Sequence, residues 1–215
     1  MDACSEMAVK TYQIAVHGVF DTNCFIHADE ESGHCFLIDP GAEAMRLITI
    51  IHDHALTVER VLLTHGHFDH IGAVEKICST LGVPFSIHRE GRAYLESPAL
   101  NLSAHYESIT LAGADLFEDG VTFTLEANPK ISLRAIHTPG HTPDSVAFLD
   151  PVVGKAFVGD TIFRGGIGTW EYPGGDRDQL VESIYRILDL PAETKLLSGH
   201  SNPWTVGEAR AQLLC

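Results

Sequence analysis

Apolar positions alternate with polar ones in some stretches of the chain and recur every three to four residues in others. Alternation and short apolar runs predict strands, and helical spacing predicts amphipathic helices. In the first half, the predicted strands span residues 10–16, 23–28, 34–38, 58–64 and 83–88. The predicted helices of this half span residues 43–54 and 71–81, and the second helix stops at Gly82.

The second half of the chain repeats this order of strands followed by helices. Its predicted strands span residues 121–126, 131–137, 145–149, 156–159 and 195–198, and its predicted helices span 178–188 and 206–214. Residues 90–119 are polar and irregular, so we expect a short helix and surface loops there. Two sheets packed face to face with helices outside satisfy this order. Because no linker rich in proline, glycine or serine divides the chain, residues 1–215 are interpreted as one α/β domain.

The charge of the chain narrows the choice of partners. It has 14 basic and 29 acidic residues and a formal net charge of −15. Proteins that bind nucleic acids or anionic membranes use lysine and arginine against phosphate, so we expect neither partner. With 45% hydrophobic and 20% charged residues, the composition is that of a globular protein. A small-molecule substrate is therefore the expected partner.

Two further features predict a cytoplasmic protein. No apolar run approaches the ~18 residues of a membrane span, and residues 1–16 lack the basic and apolar regions of an export signal. The five cysteines share no C-x-x-C spacing, which favours free thiols in a reducing compartment. Of these, Cys24 and Cys35 fall on predicted strands and are expected to be buried and unpaired.

One stretch of seven residues concentrates side chains that bind metals. It reads Thr-His-Gly-His-Phe-Asp-His over residues 64–70 and follows a predicted buried strand. His65 and His67 lie two residues apart in a loop, where both rings can reach one cation. Asp69 and His70 follow at the start of a helix, where they can face a second cation. Three histidines and an aspartate at this spacing predict a metal site.

Three residues in the second half are candidates to complete such a site. Each follows a glycine at the end of a predicted strand, and they are His141, Asp160 and His200. A glycine lets the backbone turn, so the next side chain can be directed into a cleft. Each pair alone is typical of an ordinary turn. Together with the first motif, the three pairs predict a site for two ions.

The motifs together resemble those of a known family. THGHFDHIGA at residues 64–73, TPGHT at 138–142, VGDTIF at 158–163 and SGH at 198–200 are similar to the motifs of the metallo-β-lactamase superfamily. Within it, the chain most resembles the small hydrolases of glyoxalase II type. The resemblance covers nearly the whole chain. It implies a four-layer αββα sandwich, which agrees with the order of predicted elements.

The resemblance also implies a role for each ligand. The implied set is His65, His67 and His141 for the first ion, Asp69, His70 and His200 for the second, and Asp160 as a bridge between them. A metal-bound hydroxide would then be the nucleophile, and Asp69 would orient it or accept its proton. Two divalent ions are expected, with zinc as the first choice and iron or manganese as alternatives.

The resemblance favours a thioester as the substrate. A thiolate leaves with a conjugate-acid pKa of ~8.5, so no strong general acid is needed. Two departures from glyoxalase II concern glutathione. We expect no C-terminal helical region to grip it after His200, and Thr169 stands where relatives commonly have an arginine. Trp170 and Tyr172 offer an aromatic lip in that loop, although packing of a surface loop explains them equally well.

Three other functions share this arrangement of motifs. A persulfide dioxygenase would hold one Fe(II) through the positions of His65, His141 and Asp160, the two-histidine and one-carboxylate set of non-haem iron. A β-lactamase is disfavoured because we expect no export signal and because Asp160 stands where the best-known class has a cysteine. A non-catalytic binding module is disfavoured because such relatives usually lose ligands, and all seven are present.

Overall fold

A six-stranded sheet forms the first half of the chain. The computed structural model describes residues 8–214. The strands of this sheet lie side by side in chain order: β1 (Val9–His17), β2 (Asp21–Asp29), β3 (His34–Ile38), β4 (Thr57–Leu62), β5 (Phe85–His88) and β6 (Asp115–Phe117). The first three strands pair antiparallel and the last four pair parallel, so β3 takes part in both patterns.

The connections between the parallel strands carry the helices of this half. They are α1 (Ala44–Asp53), the single turn α2 (Phe68–Ile71), α3 (Val74–Leu81) and α4 (Arg92–Glu96). Parallel neighbours need a crossover of this kind, and its helix packs on a face of the sheet. Accordingly, Leu47 of α1 and Ile77 of α3 join one apolar cluster with Ile26, Leu37 and Val61 of the sheet.

A second six-stranded sheet forms the other half. The strands of this half are β7 (Thr122–Thr124), β8 (Ser132–His137), β9 (Val146–Asp150), β10 (Lys155–Gly159), β11 (Ile162–Phe163), β12 (Gly166–Ile167), β13 (Lys195–Ser198) and β14 (Trp204–Thr205). The sheet has the order β14-β13-β10-β9-β8-β7, and β11 and β12 form a separate hairpin. Its helices are α5 (Arg177–Leu188) and α6 (Val206–Leu213).

Three apolar clusters hold four layers together. The cluster between the sheets contains Phe36 and Leu62 from the first sheet and Phe148 and Phe157 from the second. One outer cluster packs α1 and α3 against the first sheet, and another packs α5, through Leu180, and α6 against the second. Each sheet therefore buries both faces, one on the other sheet and one on helices. The predicted αββα sandwich is confirmed.

Most predicted elements agree with the structure to within a few residues, and the differences have local causes. The predicted helix 71–81 is interrupted at residues 72–73, so Ile71 ends α2 and α3 begins at Val74. The interruption arises because Gly72 packs against the backbone of Gly41 and the amide of Ala73 donates to the carbonyl of Pro40 (3.0 Å). The sequence pattern misses β6, β11, β12 and β14. These strands have two or three residues, which is too short for a period to be recognised.

A buried polar network joins the sheets where β9 turns into β10. Nε2 of His27 donates to Asp150 (3.0 Å), and Oγ1 of Thr11 donates to Nδ1 of the same ring (2.9 Å). The ammonium of Lys155 donates to Thr11 in turn (2.9 Å). His27 and Asp150 are almost completely buried, so these bonds satisfy groups that would otherwise be costly between the sheets.

Cys24 and Cys35 are buried free thiols, as predicted, and Cys78 is a third free thiol. Cys4 and Cys215 lie outside the described residues. Within residues 8–214, no helix combines the length and the apolar character needed to cross a membrane.

Candidate metal centre

The seven predicted ligands lie together at one edge of the sandwich. Each follows the carboxyl end of a strand or belongs to the helix after it: His65 and His67 after β4, Asp69 and His70 on α2, His141 after β8, Asp160 after β10 and His200 after β13. Because β8, β10 and β13 run in the same direction, their carboxyl ends share one edge of the sheet. The structure therefore brings all seven side chains into one cluster.

The candidate ligand atoms form overlapping groups. Three triads have all their ligand atoms within 4.8 Å of one another: His65 with His67 and His141, His65 with His70 and Asp160, and Asp69 with His70 and His200. Asp160 lies between the ends of the cluster. Its Oδ1 is 3.4 Å from Nε2 of His70, and its Oδ2 is 3.7 Å from Nε2 of His141. A carboxylate in this position can bridge two ions.

Hydrogen bonds to groups outside the cluster fix which ring nitrogen of each histidine faces inward. Four rings donate their Nδ1 hydrogen outward: His65 to Oγ1 of Thr64 (3.1 Å), His70 to Asp39 (2.9 Å), His141 to the carbonyl of Thr169 (2.7 Å) and His200 to the carbonyl of Asp21 (2.8 Å). The Nε2 atoms of these rings are therefore directed inward. His67 instead presents Nδ1, which is 2.9 Å from Nε2 of His141. Metal-binding histidines are oriented in this way.

Several buried atoms of the cluster have no hydrogen-bond partner. Those that face the cluster are Nε2 of His65, Nε2 of His70 and Oδ1 of Asp160. Buried polar atoms are rarely left unsatisfied, and each exception needs an explanation. Cations bound among these nitrogens and oxygens satisfy them, and imidazole with carboxylate is a donor set suited to zinc, iron and manganese. The residues present therefore fit a metal centre.

Burial keeps one end of the cluster neutral. Burial lowers the pKa of His65 well below its usual value and lowers that of His67 to about 3. Burial also lowers the pKa of His141. Metal ligation requires the neutral imidazole with a free lone pair. These three histidines are therefore held in the protonation state that a metal needs.

The other end of the cluster is dominated by carboxylates. Burial alone would raise the pKa of Asp160, but His70 and His200 outweigh it and hold that pKa well below its usual value. Burial alone would lower the pKa of His70, but the nearby carboxylates outweigh it. Asp160, Asp69 and Asp39 together raise that pKa well above its usual value. The pKa of His200 is raised to about 10, because hydrogen bonds to Asp160 and Asp69 exceed the effect of burial. The carboxylates thus attract positive charge, which protons or metal cations can supply.

Asp39 is the principal residue of the centre that sequence reasoning missed. Its Oδ1 accepts from the amide of Thr64 (2.7 Å), and its Oδ2 accepts from the hydroxyl of Thr64 (2.6 Å) and from Nδ1 of His70. It therefore fixes one ligand directly and His65 through Thr64. The available signal is an aspartate at the end of β3, directly before Pro40-Gly41. Its φ of 51° places it in the left-handed region.

Two glycines allow the close approach that the cluster needs. Gly159 has a φ of +49°, so the chain turns after β10 and directs Asp160 into the cluster. Gly199 leaves room for its neighbours, because a Cβ there would collide with Oδ1 of Asp160 and lie 2.7 Å from Cε1 of His70. At these two strand ends, the glycine before the candidate ligand thus has a steric cause.

The two residues of the predicted aromatic lip separate in the structure. Tyr172 lines the cleft above the cluster, and its ring lies 5.7 Å from that of His67. Trp170 instead packs against the outer apolar cluster of the second sheet, with the guanidinium of Arg177 5.7 Å from its ring. The sequence cannot predict which of the two rings faces the cleft, because both lie in one short loop. Thr169 orients His141 through its backbone carbonyl, a role that does not depend on its side chain.

Asp144 is a second buried carboxylic acid beside the metal loop. It is completely buried, and the hydroxyl of Thr142 and the amide of Gly66 are polar groups beside its carboxyl group. Its Oδ2 lies against Gly66, between His65 and His67, and against Gly91. Burial raises the pKa of Asp144 to about 7. The proton of this acid is therefore bound more tightly in the folded protein than in the unfolded chain.

Asp144→Asn should become more stable relative to the wild type as the pH rises from 4 to 8. An acid with a raised folded pKa contributes stability below its unfolded pKa of ~3.9, and that contribution is lost as the pH rises through about 7. The unfolding free energy of Asp144→Asn minus that of the wild type should increase by on the order of 3 kcal/mol over this pH range. Urea unfolding of both chelator-treated proteins at pH 4.5 and 8 measures it. A difference that is the same at both pH values would contradict this account of Asp144.

Comparison with known proteins agrees with the fold. A profile of the metallo-beta-lactamase superfamily matches residues 17–200. Among curated proteins, hydroxyacylglutathione hydrolase GloC of Haemophilus influenzae is 33% identical over 196 residues, which cover 89% of this chain and 91% of that protein.

Solved structures of similar proteins have the same fold. The BLEG-1 B3 metallo-beta-lactamase is 35% identical with a TM-score of 0.88, and the match covers 94% of this chain and 97% of the other. TTHA1623 in a di-iron-bound form is 32% identical with a TM-score of 0.80, and the match covers 95% of this chain and all of the other. On this evidence, the chain belongs to the metallo-beta-lactamase superfamily.

Proposed function

We propose that this protein is a hydrolase with two metal ions and that it cleaves thioesters. The observation that carries the proposal is the inward orientation of five histidines around two ionised carboxylates, with buried nitrogens that lack any other partner. His65, His67 and His141 would hold one ion, and Asp69, His70 and His200 would hold the other. Asp160 would be the shared ligand, and zinc, iron or manganese suits the donor set.

Metal ions in such a site lower the pKa of a bound water toward ~7 and polarise a carbonyl group. The protein itself supplies orientation and a proton acceptor. Oδ2 of Asp69 accepts from the hydroxyl of Thr22 (3.0 Å) and lies 3.1 Å from Nε2 of His200. Burial would raise the pKa of Asp69, but His70 and His200 lower it, so this carboxylate is ionised at neutral pH. It can orient the attacking water and accept its proton.

The leaving group distinguishes a thioester from an amide. A thiolate departs without a strong general acid, whereas an amine must be protonated as it leaves. The curated relative named hydroxyacylglutathione hydrolase supports the thioester. β-Lactam hydrolysis is the second candidate, because the structure with a TM-score of 0.88 carries the name of a B3 metallo-beta-lactamase.

A substrate panel tests the proposal. The chelator-treated full chain is reloaded with Zn²⁺, Mn²⁺ or Fe²⁺ and assayed with S-lactoylglutathione, acyl thioesters of N-acetylcysteamine and a chromogenic cephalosporin. We expect release of free thiol from at least one class of thioester, only in the reloaded protein. Cephalosporin turnover without thioester turnover would support the second candidate. Oxygen consumption with glutathione persulfide and no hydrolysis would identify the iron dioxygenase chemistry instead.

A further inference from the structure

The cleft above the metal cluster has mostly apolar walls. Its volume is about 500 Å³, and apart from the candidate ligands the apolar side chains that line it are Phe20, Phe68, Leu102, Phe163, Ile167 and Tyr172. Phe20 and Phe68 contact each other with ring centroids 5.7 Å apart, and Phe163 lies 5.9 Å from His200. Phe20 and Tyr172 are largely exposed in the open cleft. A bound apolar group would cover these rings and gain from leaving water.

The same cleft offers no positive side chain to an anionic substrate. Among its lining residues in the described part of the chain there is no lysine or arginine, and apart from the candidate ligands the only charged one is Asp21. Arg164 lies on the other side of His200, where its guanidinium donates to the carbonyl of Pro203 and to Glu208. The net charge of −15 adds repulsion. A negatively charged acyl group therefore meets no lysine or arginine in this cleft.

Leu102 forms part of the cleft wall and has a strained backbone conformation. Its φ of 68° lies in the left-handed region, which is uncommon for a bulky residue. The buried side-chain amide of Asn101 fixes this conformation by donating to the carbonyls of Tyr94 and Ile109 (both 2.9 Å). The backbone carbonyl of Asn101 accepts from the amide of Phe68 (2.9 Å). Strained residues persist where surrounding structure over-determines them, and they cluster at ligand sites. The wall formed by Leu102 is thus tied to the start of α2.

A second cavity on the far side of His200 has the opposite character. It has a volume of about 400 Å³ and shares Asp21 and His200 with the cleft. Its other lining residues are mainly polar and include Asn23, Ser201, Asn202 and the cationic Arg164. A molecule that lies across His200 therefore meets apolar walls at one end and polar walls at the other. In a thioester of an unsubstituted carboxylic acid, the acyl chain is the apolar end and the thiol part, with its amide groups, is the polar end.

We propose that the cleft selects thioesters with an uncharged, apolar acyl group of several carbons, and that the thiol extends toward the polar cavity. This inference rests on the proposed thioester hydrolysis. Each methylene group buried against these walls contributes about a fourfold gain in binding. The preferred substrate therefore differs from a small hydroxyacyl thioester of glutathione.

Chain-length preference in the metal-loaded full chain tests this inference. We expect kcat/KM to be at least tenfold higher for hexanoyl-N-acetylcysteamine than for acetyl-N-acetylcysteamine, and at least tenfold higher for S-hexanoylglutathione than for S-lactoylglutathione. Leu102→Asn keeps a residue that tolerates the left-handed conformation but removes the apolar wall. This variant should reduce the ratio of hexanoyl to acetyl kcat/KM at least fivefold, mainly through KM. Leu116→Asn, on the exposed edge strand β6, is the matched control and should leave the ratio unchanged.

Binding of uncleavable thioethers separates the two proposals. In calorimetry with the same metal-loaded protein, S-hexyl-N-acetylcysteamine should bind at least tenfold more tightly than its S-methyl homologue, and Leu102→Asn should reduce that advantage. If this holds while no thioester is cleaved, the thioesterase proposal fails and the apolar cleft is supported. If thioesters are cleaved without chain-length preference and both thioethers bind equally, hydrolysis stands and the apolar cleft is overturned.

Discussion

Asp160→Asn should lose at least one metal ion per chain and about a thousandfold in thioester hydrolysis, or about 4 kcal/mol of transition-state stabilisation. Asp160 is buried at the junction of the two ligand groups, within 3.4 Å of His70 and 3.2 Å of His200. The substitution keeps the size of the side chain but removes its charge and one of its acceptor oxygens. An amide is a poor bridge between two dications, so affinity and turnover should fall together.

The matched control for this variant is Asp53→Asn at the exposed end of α1. It should bind the same amount of metal and turn over like the wild type. Elemental analysis and kcat/KM are measured on the same preparations, and circular dichroism checks that Asp160→Asn is folded. An Asp160→Asn protein with full metal content and normal turnover would disprove the bridging role.

Asp39→Asn should weaken metal binding by ten- to a hundredfold without removing any ligand. Asp39 accepts three hydrogen bonds from Thr64 and His70, and it is 1% exposed. An asparagine tolerates the φ of 51° but places an amide hydrogen against at least one donor. The buried donor then lacks its acceptor, so stability should also fall by on the order of 3 kcal/mol.

Asp150→Asn is the matched control for Asp39→Asn, because it removes a buried carboxylate that lies away from the metal ligands. Asp150 is another buried aspartate that accepts from a histidine, His27, but it lies at the start of the β9–β10 turn. It is separated from Asp160 by the length of β10. We expect Asp150→Asn to lower stability and leave metal affinity unchanged, as measured by denaturant unfolding and by competition with a chelating dye. Equal metal affinities for Asp39→Asn and the wild type would refute the orienting role of Asp39.

The sequence predicted which candidate ligands lie together better than it predicted the residues that support them. His65, His67, Asp69 and His70 lie in one stretch, and the remaining ligands follow a glycine at a strand end, so local spacing carries the signal. Asp39 precedes the stretch by 25 residues and meets it only because β3 pairs with β4. Partners of this kind depend on strand register, which a single sequence does not state.

The aromatic loop shows a second limit of sequence reasoning. Trp170 and Tyr172 are two residues apart, and both residue types suit either a binding site or a core. The backbone turn at Gly174–Gly175 and the packing of α5 decide that Trp170 faces the apolar cluster and Tyr172 the cleft. Leu102 is similar, because no pattern marks a leucine that will adopt a positive φ. Side-chain direction in irregular loops follows from tertiary packing.

The number of metal ions per chain tests the central claim most directly. The full chain is stripped with chelator, reloaded with excess Zn²⁺ or Mn²⁺, desalted and analysed for metal against protein concentration. The seven-residue cluster with its shared Asp160 predicts two ions per chain in the reloaded, active protein. The stripped protein should contain neither ion and should not hydrolyse the substrate. One ion or fewer per chain in a preparation with full hydrolytic activity would contradict a two-metal hydrolase.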